Sequence, residues 1–354
     1  MLPMSDGISR EELQLAARNH GMPLEALRYD ITPAGLHYLL IHYDIPEVDL
    51  ATWRLEVTGA VDRPLSVDLD DLRQRPAVTA AVTLECAGNG RVLYEPRPVS
   101  QPWVLEAVGT ARWTGLPVRE LLEQAGVADD AVEVTFAGLD RGIEGEVEQT
   151  YERGLPLAEA MRPELLLAYG MNGQPLPPQH GSPLRLVVPG WYGMTSVKWL
   201  TRIEVLREPF SGYQNARGYR FRLEEEDAVG EPVTRIAPRS LMVPPGIPEF
   251  LSRSRIVDAG PVEVRGRAWS GGGAIERVAF SDGGGETWSD AVLDEAGDPF
   301  AWRGWTFRWN ASPGERILSC RATDETGESQ PLEATWNVGG YRNNAVQRVP
   351  VLVR

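Results

Sequence analysis

The first 231 residues switch repeatedly between two hydrophobic periods. Ser9-Arg-Glu-Glu12 has the spacing of a capping box, and the amphipathic stretch behind it predicts a short helix stopping near Gly21. Trp53, Leu55 and Val57 alternate with polar residues before Gly59, which predicts a strand running into a turn. Residues 68–73 suit a helix start. Residues 116–126 place Pro117 near the first turn and Gly126 past the end of another short helix. Val132-Glu-Val-Thr-Phe and Leu184-Arg-Leu-Val-Val are β-rich, and long Gly- and Pro-rich connections join the elements.

Near Pro232 the texture changes. Pro238, Pro244, Pro245 and Pro248 mark what reads as an extended linker. Short alternating strands follow at 262–266, 276–280, 302–309 and 315–323, divided by turns such as Asp282-Gly-Gly-Gly. Turns roughly every ten residues with no helical period predict an antiparallel β-sandwich. The expected fold class is therefore α+β: a mixed α/β domain over residues 1–231, then a sandwich over residues 232–354.

The formal net charge of −15 argues against a nucleic-acid or anionic-membrane partner. No apolar run is long enough to span a bilayer. Residues 1–7 show no basic stretch, apolar core or cleavage site, so no export signal is read and a cytoplasmic location is expected. The two cysteines, Cys86 and Cys320, fall in different expected domains, which favours reduced thiols over a disulfide. Cys320 sits in an alternating strand and reads as a small buried hydrophobe. Of 35 basic residues only Lys198 is lysine, in the middle of Ser196-Val-Lys-Trp. A compact ammonium kept in a chain that otherwise uses arginine points to a specific contact, such as a phosphate or a pterin.

Cys86 stands in Leu84-Glu-Cys-Ala-Gly-Asn-Gly-Arg91, where small neighbours leave room for a bulky group to approach a soft thiolate ligand. The octet resembles the cysteine loop of the sulfite oxidase family of molybdenum enzymes. A second stretch, from Ala168-Tyr-Gly-Met-Asn-Gly through Gln179-His-Gly-Ser-Pro-Leu-Arg185 to Ser196-Val-Lys-Trp-Leu200, resembles that family's pterin-binding segment. The resemblance runs from about Ile31 to the C-terminus. It implies a molybdopterin-binding domain with the sulfite-oxidase fold, followed by an immunoglobulin-like dimerisation domain and hence a homodimer.

What the resemblance implies for the site is specific. Cys86 is the molybdenum ligand. Tyr38, His42, Asp140, His180, Arg185, Ser196, Val197 and Lys198 are the molybdopterin contacts. Tyr151, Arg91 and Trp103 are catalytic or substrate-pocket residues. The implied activity is two-electron oxygen-atom transfer at molybdenum on a small-molecule substrate. With no haem attachment motif and no iron–sulfur cysteine set in the sequence, electrons pass to a separate acceptor.

The sequence departs from the family at two anion-binding positions. Leu40 stands where the family has an arginine in Phe-x-Arg-Asn-His, and Gly339 stands at the arginine of Trp-Asn-Leu-Arg-Gly, with Arg342 three residues on. Each charge-assisted hydrogen bond contributes roughly 1.5–3 kcal/mol. Losing two weakens anion binding by about two to four decades, at about 1.4 kcal/mol per decade, unless Arg112, Arg141 or Arg153 compensates. Sulfite is thus one candidate substrate. A sulfoxide or neutral sulfur compound is the alternative, and a non-catalytic binding protein that keeps the fold is the reading from another class.

Overall fold

The computed structural model describes residues 7–354. Residues 1–6, which carry most of the expectation of no export signal, lie outside them. Helix α1 (Arg10–Arg18) starts on the predicted capping box: Ser9 Oγ accepts from the Glu12 amide at 3.1 Å, and the Glu12 carboxylate accepts from the Ser9 amide at 2.9 Å. It ends short of Gly21 because Asn19 becomes extended and its side-chain amide donates to Gln101 Oε1 at 2.8 Å.

The chain continues through β1 (Leu55–Gly59), β2 (Leu65–Val67), α2 (Leu69–Arg73), β3 (Val78–Glu85), β4 (Val108–Pro117) and α3 (Val118–Ala125). Then come β5 (Glu133–Glu144), β6 (Val147–Pro156), α4 (Leu157–Ala160), β7 (Leu166–Met171), β8 (Gln174–Pro175), β9 (Arg185–Val187) and β10 (Leu200–Leu206). One sheet has the order β2-β1-β10-β5-β6, with β1 and β10 parallel. The other runs β3-β4-β7, and β7 also pairs with β8 and β9. Helix α3 buries Val118, Leu121, Leu122 and Ala125, a stripe at helical spacing, in a core shared with Leu55, Val57, Phe136 and Ile203. Each fully buried Leu there contributes about 1.5–3 kcal/mol. Pro117 caps its start, and Gly126, at φ 73°, closes its end in the left-handed region that glycine adopts freely.

A short pair, β11 (Arg220–Phe221) with β12 (Glu231–Pro232), leads into the C-terminal region. There β13 (Arg239–Met242), β14 (Ile247–Pro248), β15 (Arg255–Val257), β16 (Gly260–Trp269) and β17 (Ile275–Ser281) are followed by β18 (Ser289–Asp290), β19 (Val292–Leu293), β20 (Arg303–Ala311), β21 (Gly314–Asp324) and β22 (Val349–Val353). They form a four-stranded sheet, β13-β16-β20-β19, and a six-stranded sheet, β14-β15-β22-β21-β17-β18. Between them lie Val264, Phe280, Trp305, Trp309, Leu318 and Cys320.

Two expectations need correction. The proline-punctuated stretch is not an open linker, since it contains the fully buried strand β13. Pro238 and Pro244 lie outside that strand, where the missing N–H limits the ladder without breaking it. The sandwich is also not purely antiparallel, because β15 and β22 pair in parallel.

Candidate active site

Strand β3 becomes progressively more buried toward Glu85 and delivers Cys86 at its end. The Cys86 amide still donates to Ala107 O at 2.9 Å, and the chain then turns, with the Asn89 amide donating to Cys86 O at 3.0 Å. A Cβ on Gly88 would lie 2.4 Å from the Arg91 guanidinium, so any larger residue here would displace that side chain. Burial raises the Cys86 thiol above its ordinary pKa. Arg91, the Gly88 amide and the Trp103 indole oppose that rise.

Beside the thiol lies a partly open cavity. Its lining includes Tyr38, Leu40, His42, Cys86, Asp140, Tyr151, His180, Arg185, Ser196 and Lys198. Arg185 is fixed by donating to His180 O and Ser196 O, both at 3.1 Å, and its guanidinium lies 4.8 Å over Trp113. Burial lowers its pKa to about 10. Lys198 Nζ donates to Leu40 O at 2.7 Å and Gln179 O at 3.2 Å, and burial among other cations brings it down to about 7. His180 is held down to about 2, first by burial and then by the charges of its neighbours, and is neutral. Burial raises Asp140 to about 6.

Residues 38–42, which the resemblance makes a contact strand, form only one bridge, Leu39 with His20. Their backbone groups are taken by side chains instead: the Ile41 amide donates to Asn19 Oδ1 at 2.7 Å, and Leu40 O accepts from Lys198. Val197 does not line the cavity. Its side chain is buried in the core, its amide donates to Thr195 O, and its carbonyl accepts from Leu186. His37, a histidine with no sequence signal, does line it, edge-on to His180 at 5.6 Å between ring centroids.

The cavity fits a phosphorylated pterin. It gathers Arg185, Lys198, His37 and His180 against the single carboxylate of Asp140. Asp140 Oδ1 and His37 Nε2 are buried without a hydrogen-bond partner. At the cavity wall, the Asp140 oxygen is free to accept from a polar ligand. Among the described residues no three His, Cys, Asp or Glu side chains converge on one point. A metal at Cys86 would need further ligands that these side chains do not supply as a set.

A second, outer pocket adjoins the cavity and shares Leu40, His42, Cys86 and Tyr219 with it. Arg91, Gln101, Trp103, Glu144, Gln214 and Tyr341 also line it. Tyr151 stays on the cavity side, its hydroxyl donating to Met194 O at 2.7 Å and its ring 4.8 Å from His42. Arg91 donates to Gly339 O at 3.1 Å and Gln101 O at 3.0 Å.

Arg112, Arg141, Arg153 and Arg342, the candidates to replace the missing pair, line neither space. Arg112 is exposed, Arg141 is exposed and paired with Glu148, and Arg342 stacks 5.2 Å over Phe221. Arg153 comes nearest, buried 5.4 Å over the Tyr219 ring and bonded to Gln214 O. Gly339 has no room for a larger residue, since a Cβ would lie 2.3 Å from the Tyr341 ring.

A buried thiol between a polar, cation-rich cavity and an open pocket, followed by a β-sandwich, is the arrangement of a cofactor-binding domain with an appended sandwich, and the family models give that cofactor as molybdopterin. Residues 42–214 match the family model described as the oxidoreductase molybdopterin binding domain, and residues 233–354 match the Mo-co oxidoreductase dimerisation domain. The chain is 39% identical over 342 residues to the mitochondrial sulfite oxidase of Homo sapiens, covering 91% of this chain and 62% of that protein. It is 34% identical over 367 residues to the NADH nitrate reductase of Solanum lycopersicum, covering 95% and 40% respectively. The sulfane dehydrogenase SoxCD of Paracoccus pantotrophus superposes with TM-score 0.80 at 25% identity, over 98% of this chain and 90% of that one. The chain belongs to the sulfite oxidase family of molybdopterin-dependent oxidoreductases and carries its cofactor-binding domain. It spans 62% of the length of the human and mouse sulfite oxidases it matches.

Proposed function

We propose that this protein is a molybdenum-dependent oxidoreductase that transfers an oxygen atom to or from a small molecule and exchanges two electrons with a separate acceptor. The observation that carries this reading is the position of Cys86, the one thiol common to the cavity and the outer pocket. When bound, the molybdenum cofactor supplies the two-electron redox change and the oxygen-atom chemistry. Cys86 would ligate the metal. Asp140, His37, His180, Arg185, Ser196 and Lys198 would hold the pterin and its phosphate. Tyr151 keeps a neutral hydroxyl at the cavity, because burial raises its pKa, and would donate a hydrogen bond to a reacting oxygen by giving up its bond to Met194 O. Arg91 and Trp103 wall the outer pocket, while Tyr219 and Leu40 screen the thiol from water.

Sulfite is a candidate substrate by likeness to the sulfite oxidases, and nitrate by likeness to the nitrate reductases. A second reading, a neutral sulfur compound, is favoured by Leu40 and by the closed-off Gly339. We further propose a homodimer through the sandwich, a domain boundary between residues 231 and 232, and a cytoplasmic location. The testing experiment is sulfite-dependent ferricyanide reduction by protein assayed for molybdenum. Turnover identifies a sulfite dehydrogenase. Molybdenum-loaded protein without turnover moves the substrate to the neutral sulfur class, and well-folded protein that takes up no molybdenum overturns the reading.

A further inference from the structure

The outer pocket contains a carboxylate that the reading above does not use. Glu144, at the end of β5, lines the pocket together with Cys86 and Arg91. One oxygen, Oε2, accepts three hydrogen bonds: from Tyr43 Oη at 2.8 Å, from Gln214 Nε2 at 2.8 Å, and from His42 Nε2 at 3.1 Å. These donors come from two separate parts of the chain, the adjacent His42 and Tyr43 and the distant Gln214, 70 to 102 residues away in sequence. All three converge on one oxygen. Oε1 takes no hydrogen bond from the protein, and the side chain, 32% exposed, has access to solvent.

Burial alone would favour the protonated acid. The bonds from His42, Tyr43 and Gln214 outweigh it and hold the carboxyl down to about 2. It is thus a fixed negative charge across the whole physiological range. The one arginine lining the same pocket, Arg91, has Nε and Nη1 committed to the carbonyls of Gly339 and Gln101. Of the other walls, Leu15, Leu40, Ile143, Trp103, Tyr219 and Tyr341 carry no formal charge, while His42, 3.1 Å from Glu144, is a cation only when protonated and is then paired with that carboxylate. A doubly negative oxyanion entering here meets one half-engaged cation, Arg91, and a carboxylate whose imidazole partner His42 is already turned toward it. A molecule with an ammonium or another strong donor meets a free carboxylate oxygen prepared to accept from it.

We propose that Glu144 is a specificity-determining residue. It places the donor-bearing or cationic end of the substrate in the outer pocket and excludes dianionic oxyanions. This rests on the reading of Cys86 as the reacting end of the same pocket, and it narrows the substrate to a neutral, zwitterionic or cationic oxygen-atom donor or acceptor. Arg91, on the Cys86 side, suits the oxygen of such a molecule, whereas Glu144 suits its nitrogen. A charge fixed by three donors discriminates better than a mobile one, since no rotation of Glu144 can remove it without breaking all three bonds.

The test needs no turnover. Sulfate is an inert dianion, and its binding to the purified protein is read by tryptophan fluorescence and by calorimetry at low ionic strength. Glu144→Gln keeps the shape and an oxygen that can accept, and removes the charge. It should bind sulfate at least tenfold more tightly than the parent, about 1.4 kcal/mol. Glu144→Ala should do the same, so a folding defect in one variant does not hide the result. Sulfate affinity that is equal in parent and variants, weaker in the variants, or undetectable in all overturns the proposal. Molybdenum content measured on the same samples tests the cofactor reading separately, because the sulfate comparison holds with or without the metal.

Discussion

Glu85, the residue immediately before Cys86, is ion-paired to Arg239 of β13, with side chains only 2% and 1% exposed. The same carboxylate accepts from Trp269 Nε1 at 2.8 Å and from Asn89 Nδ2 at 3.0 Å. Arg239 and Trp269 both belong to the four-stranded sheet of the sandwich. The thiol is therefore positioned by both domains through a buried ion pair, in which Arg239 also donates to Asn343 O.

Breaking that pair from one side leaves a buried charge without its partner. Arg239→Met is expected to lower unfolding free energy by about 3–5 kcal/mol in urea titration. It should also reduce molybdenum content by loosening the residue next to the ligand. Glu85→Gln combined with Arg239→Met removes both charges and should recover much of the lost stability. Equal losses in the single and double variants would contradict this account.

The two thiols should respond in opposite ways. Cys86→Ala is expected to abolish molybdenum retention, by elemental analysis, with little change in unfolding midpoint for the metal-free protein. Cys320→Ala empties a site in the sandwich core, where Cys320 Sγ donates to Ser240 O at 3.4 Å. It should destabilise by about 1–2 kcal/mol while leaving loading intact. Loss of loading in both variants would remove the distinction between ligand and packing residue.

Glu144 gives an acid-labile contribution. Its folded pKa lies near 2 against an ordinary 4.5, so the folded state binds fewer protons over that interval. The stability it adds is complete above about pH 4.5 and disappears as pH falls through 2. Its partial exposure screens the effect. The difference in melting temperature between parent and Glu144→Gln should be constant above pH 5 and shrink steadily below it. A difference that stays constant down to pH 2 would assign the role to hydrogen-bond shape rather than charge.

Lys198 has the opposite sign. Its folded pKa of about 7 lies below the ordinary 10.5, so the unfolded chain binds more protons between those values. Stability consequently rises with pH across that window, and the penalty is greatest below pH 7. Relative to the parent, cofactor-free Lys198→Met should improve as pH drops from 10 to 7 and level off below. The same variant should hold less cofactor. A pH-independent difference between the two would show that the ammonium is not desolvated in the empty site.

Local signals carried most of the fold. Ser9 with Glu12, Asp68 with Asp71, and Pro117 with Gly126 each encode a helix end within a few residues, and the structure places helix ends at all three. The alternation after residue 260 gave the sandwich strands for the same reason. Within the site, the residues on the two resembling stretches converge, but Val197 faces the core. The misses are long-range. His37 matters only because the fold brings it against His180, and Glu144 meets His42 across 102 residues of chain. Arg239 reaches Glu85 across 154 residues, from a strand hidden among prolines. No periodicity registers such pairs.

The turn holding Cys86 is strapped from the far end of the chain. The Arg342 amide donates to Ala87 O at 2.9 Å, Asn343 Nδ2 donates to Gly90 O at 2.9 Å, and Gly339 O receives Arg91. These partners are made roughly 250 residues after the turn they hold. A chain stalled or clipped before residue 339 would keep Cys86 yet lack all three bonds, leaving the thiol's loop to its local contacts alone.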